Sequence, residues 1–266
     1  MNISPDAGGL TQAFLTLCTA FILTVLMGPW CIPALKRMKF GQEVRDDGPQ
    51  SHLKKQGTPT MGGVFFLAAF LLASLIGLAR MKNADMQALQ ILFLTAGFGF
   101  TGFLDDYLKI RKHQSEGLNP KQKMLLQFVI TVIFACWVWS CPAGREAGEL
   151  LVPFTGNRES ALKVTLPVWA YVPFVIFVVL GTDNGANFTD GLDGLCSSVT
   201  AAIAAFFLAV GLLFAVPGLS LVSGAMIGCL FGFLIFNVYP AKVFMGDTGS
   251  LALGGFVAAA AVTCGM

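Results

Sequence analysis

An all-α bundle of about eight membrane-spanning helices is the fold class this sequence predicts. Three features predict it: apolar composition, long charge-free intervals, and no alternating pattern that would suit strands. Of 266 residues, 55% are hydrophobic and 12% charged, with mean hydropathy +0.73. Soluble domains carry about a quarter charged residues, so this balance points to a bilayer. The net charge of +2 says little by itself, because placement matters more than the sum.

A helix crossing hydrocarbon needs about 20 mostly apolar residues. The charge-free intervals are Ala7–Leu35, Gln56–Ala79, Met86–Leu104, Met124–Gly144, Val164–Thr182, Gly194–Ala241 and Thr248–Met266. The sixth is too long for one helix, and Pro217-Gly218 divides it into two spans joined by a tight turn. The N-terminal stretch has no basic segment, its only charge before Lys36 being Asp6, so it reads as the first span and not as a cleaved signal. Gly224, Gly228 and Gly232 recur every fourth residue, a spacing that suits close helix packing. Seven cysteines without a CxxC pair suit reduced thiols. The whole chain, 1–266, is expected to form a single membrane domain.

Lysine and arginine set the orientation. With the N-terminus outside, the inner connections 36–55, 105–123, 183–193 and 242–247 hold six, five, none and one basic residues. The outer connections hold five: Arg80, Lys82, Arg145, Arg158 and Lys163. The polar motifs therefore all face the cytoplasm.

Four motifs stand on that face. Lys54–Gly63 (KKQGTPTMGG) offers Lys55 and Thr60 to phosphate or sugar oxygens, although a basic turn before a membrane helix also serves topology alone. Asp105-Asp106, with Lys109 one helical turn on, ends an apolar run; carboxylates there need a cation, a lysine or a water-filled cavity. An ordinary helix-end ion pair is the plainer alternative, as basic anchoring is for Lys121 and Lys123. The segment Thr182–Gly194 holds Asp183, Asn184, Asn187, Asp190 and Asp193 and no basic residue, so a bound Mg²⁺ or neighbouring lysines must compensate. Finally, Phe236–Ser250 places Asp247 between Gly246 and Gly249 at the start of an apolar helix, which suits a phosphate–Mg²⁺ complex. A plain N-capping role for Asp247 and a core role for Phe244 are the alternatives.

The phrases GTPTMGG, FLDDYLK, NGANFTDGLDGL and FNVYPAKVFMGDTGS, in this order, resemble the phospho-N-acetylmuramoyl-pentapeptide-transferase family of the polyprenyl-phosphate N-acetylhexosamine-1-phosphate transferases. The resemblance implies Mg²⁺-dependent transfer of phospho-N-acetylmuramoyl-pentapeptide from UDP to undecaprenyl phosphate, giving lipid I and UMP at the bacterial inner membrane. It implies that Asp247 is the Mg²⁺ ligand, with Asp105 and Asp106 engaging the lipid phosphate and the metal. It further implies that Asn184, Asn187, Asp190 and Asp193 belong to the sugar-nucleotide and catalytic segment. Asn237 and Phe244 become nucleoside contacts, and Lys55 and Lys123 phosphate contacts. Partners so implied are the two substrates and membrane lipids, with no nucleic acid and a homodimer left open. The family continues through two further spans and a histidine-bearing loop, whereas this sequence ends at Met266 and its His52 and His113 match neither. A sibling transferase using UDP-N-acetylglucosamine, an ion-coupled transporter and an inactive fragment are the competing expectations. Acids gathered at one boundary and not at the midplane disfavour the transporter.

Overall fold

A computed structural model describes residues 7–37, 57–81, 85–112, 117–142, 146–152, 155 and 162–266. Lys55, His52 and His113 lie outside the described residues. The helices are α1 (Ala7–Arg37), α2 (Gly63–Ala79), α3 (Met86–Lys112), α4 (Pro120–Ser140), α5 (Val168–Thr189), α6 (Leu195–Leu213), α7 (Pro217–Asn237) and α8 (Gly246–Cys264). Each expected span has its helix, and the long interval divides at Pro217 as its turn signal required. Seven of the eight are long and apolar enough to cross a membrane; α2, at 17 residues, is shorter.

Two expectations are corrected. Glu149–Leu151 (β1) and Lys163–Thr165 (β2) pair antiparallel between α4 and α5, an element that three-residue strands are too short to announce by alternation. The acidic segment after α5 is also not a loop throughout. The helix runs to Thr189, because nothing in Asp183–Thr189 breaks it before Gly191. Similarly, Asp105 and Asp106 sit inside α3, one to two turns before its end.

Small residues decide which helices are central. In α8, 83% of the spanning window is buried, against 22% in α1 and α5, so α8 is the axis and those two line the perimeter. Lipid tails are as apolar as leucine, so helices associate in a bilayer through close packing and not through hydrophobic burial. Gly224 and Gly228 of α7 lie against the carbonyls of Ala13 and Leu17 in α1, with Gly232 against Phe21 and Thr24. The i, i+4, i+8 glycines are thus a packing seam, and none of the seven cysteines forms a disulfide.

The motif ends of the helices gather together, and other contacts gather the opposite ends. Asp85 accepts from Ala88 N at 2.9 Å in α3 and from Gly218 N at 2.9 Å in α7, capping two helices at once. Gln87 Nε2 donates to Thr263 O at 3.1 Å, and Leu151 N to Gly265 O at 2.8 Å.

Candidate active site

Asp247 lies in the first turn of α8, and three other helices send side chains to it. Lys109 Nζ of α3 and Lys123 Nζ of α4 each stand 2.9 Å from Oδ2. Asn187 Nδ2 of α5 donates to Oδ1 at 3.1 Å and to Ser250 Oγ at 2.9 Å. The capping role considered for Asp247 belongs instead to Asp106. Its Oδ2 accepts from Thr248 N at 2.8 Å and Thr248 Oγ1 at 2.7 Å, and its Oδ1 from Asp247 N at 3.2 Å. A carboxylate from α3 therefore satisfies the free N–H groups and the positive dipole end of α8.

Asp105 closes the other side. Lys109 Nζ lies 2.6 Å from its Oδ2, and Leu118 N donates to its Oδ1 at 2.8 Å, which seats Gly117 and Leu118 against it. Two like charges about 4 Å apart repel by about 4 kcal/mol at an effective dielectric near 20. Three neighbouring aspartates thus need their two lysines, and the three carboxylates still exceed them by one charge. Asp105, Asp106 and Asp247 each offer an oxygen, all within 4.8 Å of one another, a spacing that can hold a cation. Asp105 and Asp106 are each 3% exposed, whereas Lys109 and Asp247 keep 32% and 21% of their side chains open. The buried acids form the floor and the lysine–Asp247 layer faces outward.

Glycines permit this approach. A Cβ on Gly102 would come within 2.6 Å of Thr248 N, and one on Gly63 within 2.6 Å of Gly249 Cα. The segment before α2 is tied to the one before α8: Phe244 N donates to Pro59 O, and Gly62 N to Phe244 O, both at 2.8 Å. Such irregular backbone is tolerated near a bilayer because protein satisfies it. Thr60 lies in this pairing, its Oγ1 beside Gly246.

Other expected residues sit around the cluster. Asn184 Nδ2 donates to Leu180 O within α5. Asp190 ends α5, and Asp193 Oδ2 accepts from Ala241 N at 3.2 Å. Asn237 is 3% exposed; its oxygen accepts from Gly194 N at 3.1 Å, and its nitrogen donates to Val243 O at 3.0 Å. It therefore staples the α5–α6 turn to the segment before α8, and Phe244 belongs to that segment. The sequence singles out no role for Gln127, counts Asp183 only among the acids that need compensation, and names Thr248 and Ser250 only as part of the last motif. Gln127 carried a signal, as an amide in an otherwise apolar span, and Asp183 lies one turn before Asn187.

The glycosyl transferase family 4 profile matches residues 88–265, and signature 1 of phospho-N-acetylmuramoyl-pentapeptide-transferase matches residues 55–67. A phospho-N-acetylmuramoyl-pentapeptide-transferase of Clostridioides difficile (strain 630) is 42% identical over 96% of this chain and 76% of its own length. Those of Oceanobacillus iheyensis and Staphylococcus carnosus (strain TM300) are 41% and 43% identical, over 95% and 91% of this chain and 76% and 74% of theirs. The two matched regions hold the Thr60 segment and the Asp247 cluster with every helix that builds it, and so this chain belongs to glycosyl transferase family 4, in its phospho-N-acetylmuramoyl-pentapeptide-transferase branch.

Proposed function

We propose that this multi-pass bacterial membrane protein transfers phospho-N-acetylmuramoyl-pentapeptide from UDP to undecaprenyl phosphate. The products are lipid I, for peptidoglycan synthesis, and UMP. The observation that carries this reading is the convergence of Lys109, Lys123 and Asn187 on Asp247, above the buried Asp105 and Asp106. Residues 1–266 act as one membrane domain in this reading, with the cluster facing the cytoplasm.

Phosphoryl transfer needs in-line positioning and neutralised charge more than covalent help from the protein. A phosphomonoester has its second pKa near ~6, so undecaprenyl phosphate is largely dianionic at neutral pH and requires no strong base. One of its oxygens attacks the sugar-bound phosphorus, the bond from that phosphorus to the bridging oxygen breaks, and the electron pair leaves with UMP. Lys109 and Lys123 would hold phosphate oxygens, since each ammonium has three donors and the carboxylates use only part of them. Asp105 orients Lys109 and accepts any proton the lipid phosphate retains.

The donor set fits Mg²⁺: three carboxylates are hard oxygen ligands, and the cluster carries one uncompensated negative charge. Asp247 and Asp106 are the proposed ligands, and Mg²⁺ bound there would neutralise charge on the diphosphate. Asn184, Asp190, Asp193, Asn237, Phe244, Lys55 and Thr60 are proposed to bind or frame the sugar nucleotide.

The test is UMP release by the purified chain in lipid, with undecaprenyl phosphate and either UDP-N-acetylmuramoyl-pentapeptide or UDP-N-acetylglucosamine. Release with the first donor only, abolished by chelation and by Asp247→Ala, is expected. Release with the second donor alone would transfer the assignment to a sibling activity.

A further inference from the structure

One turn below the Asp247 cluster, a buried side-chain hydrogen bond joins α4 to α5. Gln127 Nε2 donates to Asp183 Oδ2 at 2.6 Å, and both residues are 0% exposed. The two remaining oxygens, Gln127 Oε1 and Asp183 Oδ1, have no hydrogen-bond partner among the described residues. Half-satisfied polar groups at membrane depth are costly, so this pair is a poor device for stability alone.

Its spacing points to another use. Gln127 lies four residues after Lys123 on α4, and Asp183 four before Asn187 on α5, so each stands beneath a residue that bonds Asp247. A Cβ on Gly254 would come 2.5 Å from Asp183 Cα, so α5 is seated on the backbone of α8 at the same level. We infer that Gln127 and Asp183 are positioning residues, a directional clamp that sets Lys123 on Oδ2 and Asn187 on Oδ1 of Asp247. The clamp acts through those two side chains.

The orphaned oxygens yield a discriminating variant. In Asp183→Asn, the new amide nitrogen can donate to Gln127 Oε1 while its oxygen still accepts from Gln127 Nε2. Asp183→Leu and Gln127→Leu each break the clamp and strand one partner. The double Gln127→Leu, Asp183→Leu variant removes both polar groups, a change that is often near neutral for stability.

The experiment measures kcat and KM for UMP release in lipid, together with hydrogen–deuterium exchange over residues 120–127 and 183–189. Asp183→Asn is expected to keep kcat within about twofold. The double leucine variant is expected to fold, yet lose roughly 10- to 100-fold in kcat with little change in KM, as a displaced catalytic group does. Wild-type kcat in the double leucine variant, or loss in Asp183→Asn equal to that in Asp183→Leu, would overturn the inference. The kinetic arm rests on the proposed transferase activity. If the unmodified chain releases no UMP, that activity fails by itself, and exchange decides the clamp. Faster exchange of both segments in Asp183→Leu but not in Asp183→Asn supports it; identical exchange in all variants overturns it.

Discussion

At the scale of single residues, the site works by division of labour among groups of the same type. Asp106 caps the N-terminus of α8 beside its proposed place at the metal, Asp105 holds Lys109 and Leu118 N, and Asp247 meets the outward-facing lysines. Asp106→Asn keeps the shape but replaces one acceptor by an NH₂ facing Asp247 N or the two Thr248 donors. It is expected to lower stability by about 1–3 kcal/mol, read from thermal unfolding in detergent. Lys123→Ala leaves the cap intact and removes one preorganised cation. A fall in kcat of about 100-fold is expected, with a lower unfolding temperature because three carboxylates then share one lysine; unchanged kcat would remove Lys123 from the site. Adjacent aspartates followed by a lysine were legible as a pair needing compensation. Which acid does which task was not, because the donors come from Thr248 and Leu118, far away in the chain.

At the scale of elements, close approach of backbones places the cluster. Gly102 of α3 abuts the carbonyl of Asp247, so a methyl group there must displace the first turn of α8. Gly102→Ala is expected to cost roughly 1–3 kcal/mol by overpacking, and to reduce turnover more than it raises KM. Asp85 provides the contrast at the other end of the bundle, where it caps α3 and α7. Asp85→Ala should lose about 0.5–2 kcal/mol per cap while kcat stays unchanged, which unfolding and turnover measured on the same preparation will check. Element existence was legible because span length follows from bilayer thickness. The end of α5 was misread as loop because polar composition, not a breaker, marked it. Asn187 reaches Asp247 from that extra helical stretch.

At the scale of the whole molecule, the bundle gathers ends of α3, α4, α5 and α8 around the acidic cluster, while Asp85 caps α3 and α7 at their other ends. The excess of lysine and arginine on the motif side predicts that this end faces the cytoplasm. In intact cells, an impermeant thiol reagent should label Thr155→Cys above the parent chain. It should label Lys121→Cys only after the membrane is opened, and the reverse pattern would invert the topology. Both positions are exposed.

The sequence by itself determined the number of long apolar helices and their order, the motifs that meet at one end of them, and the kind of chemistry those motifs suit. Hydrocarbon thickness, loop charge and the cost of an unpaired acid act on local stretches of chain, so a linear reading can apply them. Tertiary structure alone decided that Asp106 caps α8, that Asn237 staples two connections, and that Gln127 and Asp183 meet beneath the site. Each of those facts includes a hydrogen bond between residues more than 40 positions apart. Such bonds form only because helix packing, through glycines such as Gly63, Gly102 and Gly254, brings the backbones close enough.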